Sequence, residues 1–289
     1  NEGKVVPGNY ILMCLGDYDQ ASWTQYVLAG KVYGDPVRGT IPCSWAIDPN
    51  AIDRACAAVD YIYRNMTAKD VFMAWDSGAG YVNPGQLYGE RSPSGYPSGV
   101  EIWRKHCKKY YRLLDYSISG WLLNGSMPLT RTDCENFAPF SPDGIGMYVP
   151  VDFDNPSLVD NIPVQQITHR MIDFPEGVHF AWLRTISTPP SKIKAQMDEQ
   201  ADSGHNHRFL DAYTYYYLMR YHLGGNNNYR VTWISDTIPR IMAAGKQYPV
   251  SVTVRNDGWD TWSVDKNYAL CYAIAGAGKE VQNADYEVH

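Results

Sequence analysis

The chain has 289 residues and a formal charge of -6, with 45% hydrophobic and 19% charged residues and 23 Tyr beside 9 Trp. That length suits one large α/β domain plus a small module. No run nears the ~18 apolar residues of a membrane helix, and without a long basic run a phosphate backbone, hence nucleic acid, is disfavoured as a partner.

The chain starts at Asn1, which follows no basic or apolar leader and is read as the start of a processed or excised segment. Short apolar runs then alternate with stretches of helical period. Tyr10 to Gly16 is the first predicted strand, and Ser22 to Tyr33, with Ser22 as N-cap, the first helix. Thr40 to Ile47 is the second strand. Asp48-Pro49 then opens a helix through Met66, with Asp48 in the cap position and Pro49 where a missing N–H costs nothing. Val71 to Trp75 is the third strand. The loop behind it, Gly78 to Ser98, holds five Gly and three Pro, is long for a βα connection, and reads as a lid or binding loop.

Val100 to Leu114 follows as a basic-faced helix, Ser117 to Leu123 as a strand, Thr132 to Phe137 as a short helix and Ile145 to Val151 as a strand. Val164 to Thr168 and His179 to Ile186 are two more strands, with helices over Pro189 to Ala201 and Arg208 to Leu223. This rhythm predicts an α/β fold over residues 1–228: a (β/α) TIM-like barrel, complete or short of a strand. After Gly224-Gly225-Asn226-Asn227-Asn228 the period changes to two, at Val231 to Ile234, Tyr248 to Arg255 and Tyr268 to Ile274. Residues 229–289 are therefore expected to form a β-rich, immunoglobulin-like module. They fall short of the ~100 residues of a full sandwich, so a truncated module and a longer parent protein are expected.

The six cysteines, Cys14, Cys43, Cys56, Cys107, Cys134 and Cys271, show neither a C-x-x-C pair nor zinc spacing. Cys14 and Cys43 fall in neighbouring predicted strands, where a bridge is conceivable and a buried thiol is the commoner state. The many aromatic rings mildly favour a carbohydrate ligand, because an amphipathic ring fills cores and also stacks on saccharide C–H faces.

Open α/β sheets and barrels keep their chemistry at the carboxyl ends of their strands. Directly past the third strand lies Gly78-Ala79-Gly80-Tyr81-Val82-Asn83-Pro84. This stretch resembles the signature of the GxGYxYP putative glycoside hydrolase family. Gly16-Asp17-Tyr18-Asp19-Gln20, Arg38-Gly39-Thr40-Ile41-Pro42-Cys43-Ser44-Trp45 and Leu183-Arg184-Thr185-Ile186 are similar to further parts of that family in the same order. The resemblance spans about Tyr10 to Leu223. It departs at Asn83, where the motif has a second Tyr, and at Tyr18 and Gln20 within the acidic segment. It implies a barrel domain in a secreted bacterial protein, extracellular or periplasmic, with a glycoside hydrolase activity. The segment around Val252-Thr253-Val254-Arg255-Asn256-Asp257-Gly258 and Trp262 is similar to the immunoglobulin-like spacers of bacterial carbohydrate enzymes.

Glycosidic cleavage needs one carboxylic acid to protonate the leaving oxygen and another carboxylate to attack the sugar or activate water. Asp17, Asp19, Asp76 and Asp152 stand at predicted strand ends. Asp19 and Asp76 are the first expected catalytic pair, with Asp17 beside them, and Asp152 is expected to contact substrate. Each could instead cap the following helix, and Asp48 is read as a cap. Trp23, Trp45 and Trp75 are candidate stacking platforms or core residues, and Tyr81 is a candidate sugar contact or lid anchor. Arg184, on an apolar strand, is expected to pair with a strand-end carboxylate and is a candidate substrate contact, the alternative being a purely structural role. His169, His205 and His207 are isolated, His205-Asn206-His207 reads as a solvated loop and not a metal site, and neither metal nor cofactor is expected. The expected function is hydrolysis of an oligosaccharide or polysaccharide; the alternative is a non-catalytic glycan-binding or scaffold barrel.

Overall fold

The unbroken apolar run from Tyr10 to Leu15 lies in β1 (Gly8–Leu15), buried along its whole length as strands covered on both faces are. The computed structural model describes residues 4–17, 20–88, 95–121, 128–168, 170–202, 204, 206–225, 231–239, 242–243, 245–256, 272–276 and 279–283. The chain divides into two compact units, Asn1–Gly225 and Asn226–His289.

In the first unit β1 is followed by β2 (Cys43–Ile47), β3 (Asp70–Ala74), β4 (Ile118–Trp121) and β5 (Gly144–Met147). β6 (Ser157–Val159), β7 (Ile162–Gln166), β8 (Val178–Thr185) and β9 (His207–Leu210) complete one sheet of order β6-β7-β5-β4-β3-β2-β1-β8. All neighbours are parallel except β6, a short antiparallel return on β7. β8 occupies one edge of β1 along all eight residues. β9 and β2 therefore share the other edge, β9 on Asn9 to Leu12 and β2 on Cys14 and Leu15.

The sheet curls toward closure without completing it. Between the 162–168 segment and β8 the hydrogen bonds are Thr168 N and Oγ1 to Trp182 O at 3.0 and 3.2 Å and Gln165 Nε2 to Phe180 O at 2.7 Å, and no ladder forms among the described residues. The result is an α/β fold around an open, incomplete TIM-like barrel.

Helices pack on the outer face. α1 (Gln20–Ser22) runs into a π-helix over Trp23–Val32, then come α2 (Ala51–Arg54), α3 (Cys56–Arg64), α4 (Val100–Leu114), α5 (Arg131–Phe137) and α6 (Pro190–Asp202). α4 shows why sequence dictates these elements. Trp103, Cys107, Tyr110, Tyr111 and Leu114 recur at helical spacing and are the residues it buries. Asp115, left-handed at φ 57, ends it by returning its N–H to Tyr111 O. α5 begins with a capping box between Thr130 and Asp133.

The inner face is filled differently. Tyr10, Leu12, Cys14, Met73, Trp75 and Trp182 form one cluster with Tyr215, Tyr216 and Met219 of α7 (Ala212–His222). A Cβ on Gly146 of β5 would lie 0.8 Å from the Trp182 ring of β8, although those strands are not sheet neighbours. The face they share is thus the inside of the curl. A closed barrel fills its interior with its own strand side chains; here a helix takes part of that space and the seam stays open.

Three expectations change. The helix expected from Arg208 is β9 up to Leu210, because pairing with β1 outweighs local propensity, and α7 starts only where Asp211 accepts the Thr214 N–H at 3.0 Å. The helix expected over 48–66 breaks at Ala55 (φ -129) into α2 and α3. Ser22 makes no capping bond, and the segment after it is wound as a π-helix, with Tyr33 N bonded to Leu28 O at 2.9 Å. Cys14 and Cys43 are both free; Cys14 belongs to the inner cluster and Cys43 to the outer one, so they face opposite sides of the sheet.

In the second unit β10 (Val231–Asp236) pairs antiparallel with β11 (Val252–Asn256), and β12 (Tyr272–Gly276) pairs antiparallel with β13 (Lys279–Asn283). Trp262 and Cys271 lie outside the described residues. Among the described residues no helix is long and apolar enough to cross a membrane.

Candidate active site

A cleft of ≈ 850 Å³ opens at the carboxyl ends of β1, β2 and β3. Asp48 and Asp76 line its inner side, Ala79 to Val82 its rim, and Trp103, His106 and Tyr110 of α4 its outer wall. Asp48 follows β2 directly. Gln20 fixes it there: the amide Nε2 donates to Asp17 O at 2.5 Å and Ala46 O at 3.3 Å, while Oε1 accepts the Asp48 N–H at 3.0 Å. Gln20, one of the departures from the family pattern, thus ties the ends of β1 and β2 together.

The Asp48 side chain is enclosed, with the residue only 5% exposed. Its Oδ1 accepts the Asn50 N–H at 3.1 Å. Burial pushes the carboxyl from its ordinary 3.8 up to about 7, against the smaller opposing pulls of that N–H and of Arg54. A carboxyl that holds its proton to neutrality suits a general acid.

Asp76 is held by an unusual turn. Asp76 and Ser77 sit in the left-handed region at φ 60 and 64, followed by Gly78 at 115 and Gly80 at 146. Only glycine fits at 78, where a Cβ would lie 2.8 Å from both Cys107 Sγ and the Trp103 ring. The turn is pinned from several sides: Ser77 N to Gly120 O at 3.2 Å, Ala79 N to Cys107 Sγ at 3.3 Å, and Ala79 O accepting both Asn50 Nδ2 at 3.2 Å and His106 Nε2 at 2.8 Å. Because a carbonyl only accepts, His106 carries its proton on Nε2. Burial pushes the Cys107 thiol up to about 12, so it serves here as a sulfur acceptor and not as a thiolate.

The other expected site residues are distributed as follows. Tyr81 stands at the rim, 57% exposed. Asp17 lies outside the cleft lining; Arg184 of β8 bonds it at 3.2 Å and also donates to Gly16 O at 3.2 Å. Asp152 is exposed on the segment after β5, away from the lining. Asp19 lies outside the described residues, as do His169 and His205.

The three tryptophans do not reach the cleft. Trp45 is fully buried on the outer face, its indole N–H donating to Asp70 at 2.7 Å. Trp75 is fully buried on the inner face against Trp182, with the Arg184 guanidinium 5.8 Å from its ring centre. Trp23 is 2% exposed and donates to Ile186 O at 3.0 Å. Strand and helix periodicity turns all three into the core, which leaves no ring face for a sugar.

Sequence reasoning sets Asp48 aside for its neighbour Pro49 and passes over His106 altogether. Both carry a signal. Asp48 ends an apolar strand run just as Asp76 does, and His106 stands three residues after Trp103 and four before Tyr110, on one helix face. Among the described residues no cluster of three or more His, Cys, Asp or Glu side chains is arranged to hold a metal ion.

Comparison with known proteins agrees with this architecture. No curated protein matches the chain. A crystal structure of a putative hydrolase from Bacteroides thetaiotaomicron superposes with a TM-score of 0.58 at 15% identity, over 77% of this chain and 46% of that one. The present chain therefore corresponds to less than half of that protein's length, and the likeness concerns the fold. Residues 8–231 match the GxGYxYP putative glycoside hydrolase C-terminal domain. With its Gly-Ala-Gly-Tyr turn carrying Asp76 into the cleft, the chain belongs to the GxGYxYP putative glycoside hydrolase family.

Proposed function

We propose that the cleft hydrolyses a glycosidic bond of an oligosaccharide or polysaccharide, with Asp48 as the general acid and Asp76 as the carboxylate that attacks the sugar or activates water. The observation that supports this reading is that one cleft is lined both by Asp48, whose carboxyl burial pushes up to about 7, and by Asp76, a buried residue on a constrained turn. Two carboxyls in different environments can divide the acid and base roles. Tyr81, exposed at the rim, is proposed to stack on or hydrogen-bond a sugar ring. Asp19, the partner of Asp76 expected from sequence, stays in the proposal as the alternative base. Asp17 is proposed to brace Arg184 and not to react.

We further propose an extracellular or periplasmic setting, and that residues 229–289 begin an immunoglobulin-like spacer. Both extend the family resemblance.

A panel of neutral and charged oligosaccharides, assayed for hydrolysis and for thermal shift, tests the function. Asp48→Asn and Asp76→Asn are each expected to lower turnover by about 10² to 10⁴-fold. In wild type, kcat/KM is expected to fall as pH rises through about 7, where Asp48 loses its proton. Thermal shift without turnover, unchanged by both variants, would establish the non-catalytic glycan-binding alternative. Loss in Asp19→Asn and Asp76→Asn with Asp48→Asn active would move the acid-base pair to the first two.

A further inference from the structure

Asp76 and Ser77 are non-glycine residues held consecutively at positive φ. Each costs roughly 1 kcal/mol or more relative to ordinary backbone, so the conformation persists only where its surroundings over-determine it. Several of those surroundings can be named. Gly120 O holds Ser77, and the Ala79 peptide is held by Cys107 on its N–H side and by Asn50 and His106 on its carbonyl side. His106 makes the shorter of the two carbonyl contacts, 2.8 Å against 3.2 Å.

His106 is an exposed residue of α4, and α4 is anchored away from the turn by Tyr110, Tyr111 and Leu114, while Trp103 and Cys107 pack against Gly78 of the turn itself. It therefore joins a rigid helix to a strained loop while contributing little burial of its own. We propose that His106 is a positioning residue for Asp76: its Nε2–H, bonded to the Ala79 carbonyl, keeps the turn left-handed and keeps the Asp76 carboxyl in the cleft. The catalytic consequence rests on the hydrolase reading above; the structural claim does not. The Ala79 carbonyl asks only for an N–H donor, whichever side chain supplies it. This separates a positioning role from general acid-base chemistry, in which the ring must gain and lose a proton.

The test compares wild type, His106→Ala and His106→Gln, the last retaining an N–H donor on a side chain that helices tolerate. Amide hydrogen exchange at Ser77 and Ala79 is read first. It is expected to accelerate about tenfold or more in His106→Ala with little change in Tm, and to return within about threefold of wild type in His106→Gln. Unaltered exchange in His106→Ala overturns the proposal.

Kinetics on a hydrolysed glycan are read second. In His106→Ala, kcat should fall about tenfold or more with KM within about threefold, since misplacing a reacting group by an ångström costs up to about 10²-fold. His106→Gln should recover a third or more of kcat and keep both limbs of the wild-type pH profile. Loss of a limb in His106→Gln would make the imidazole a proton-transfer group and overturn the positioning role. If wild type hydrolyses nothing, the hydrolase reading fails, and the exchange measurement still decides whether His106 holds the turn.

Discussion

Asp70 opens β3 at the amino end of the sheet and Asp48 leaves β2 at the carboxyl end; both are buried, at 4% and 5% exposure, and the protein treats them in opposite ways. The Asp70 carboxylate is surrounded by donors: the Arg38 guanidinium, Trp45 Nε1 at 2.7 Å, and Thr67 N and Oγ1 at 2.7 and 2.9 Å. The Asp48 carboxyl accepts the Asn50 N–H at 3.1 Å, and burial raises it to about 7. Burying a charge is costly unless donors replace the lost water. Where they do, the carboxylate becomes a brace, here tying the 33–38 turn, β2 and the 67–70 turn together. Where they do not, the group keeps its proton instead and becomes available for chemistry.

The strongest way to break the comparison is to remove the brace. Asp70→Ala leaves the Arg38 guanidinium and the Trp45 indole facing an unfilled site, and is expected to destabilise the protein by about 3–5 kcal/mol in chemical denaturation. A loss below about 1 kcal/mol would mean that Asp70 is not the structural member of the pair.

The opposite sign is expected at Asp48. Its folded pKa of about 7 exceeds its ordinary 3.8, so between those values the native state binds more protons than the unfolded chain, and stability drains away as pH rises through the window. Each tenfold change in proton affinity is worth about 1.36 kcal/mol, which puts the full cost above pH 7 on the order of 4 kcal/mol. Asp48→Asn carries no such cost. Relative to wild type it should gain about 2 kcal/mol or more at pH 8 and close to nothing at pH 4, while losing turnover. Equal Tm differences at the two pH values would refute the assignment.

Much of this arrangement is legible in the sequence. Val71 to Trp75 and Val100 to Leu114 are readable because an apolar run and a 3.6-residue stripe are local signals. The Gly-rich turn is readable because left-handed backbone and close approach to Trp103 demand glycine. The pairing of His207 to Leu210 with Asn9 to Leu12 is hidden, since only a partner about 200 residues away makes it a strand. The interior position of α7 is equally hidden, because Tyr213, Tyr215, Tyr216 and Tyr217 leave no plainly polar face to read. The tryptophans mislead for a geometric reason. Proximity to a strand end is a statement about chain position, whereas the alternation of side chains decides the face, and it turns Trp75 inward and Trp45 outward. Asp48 and Asp76 look unequal by sequence because a following Pro favours a cap; burial, a tertiary property, makes them cleft neighbours.

The smallest expected effect sharpens the contrast most finely. Thr67→Val replaces one hydroxyl donor to Asp70 with an isosteric methyl and keeps the Thr67 backbone N–H, the indole and the guanidinium in place. If four donors share the work of solvating the carboxylate, removing one should cost about 1 kcal/mol, within the usual range for a hydrogen bond to a charged group weakened by the donors that remain. The same substitution made on top of Asp70→Asn should cost less than it does alone, because its acceptor no longer carries a charge, and residues of one network are non-additive by roughly 0.5 kcal/mol or more. Additive losses in that double-mutant cycle, read from urea midpoints, would mean that the hydroxyl acts through Lys69 N, which it accepts at 3.2 Å, and that the brace at the amino end has three donors and not four.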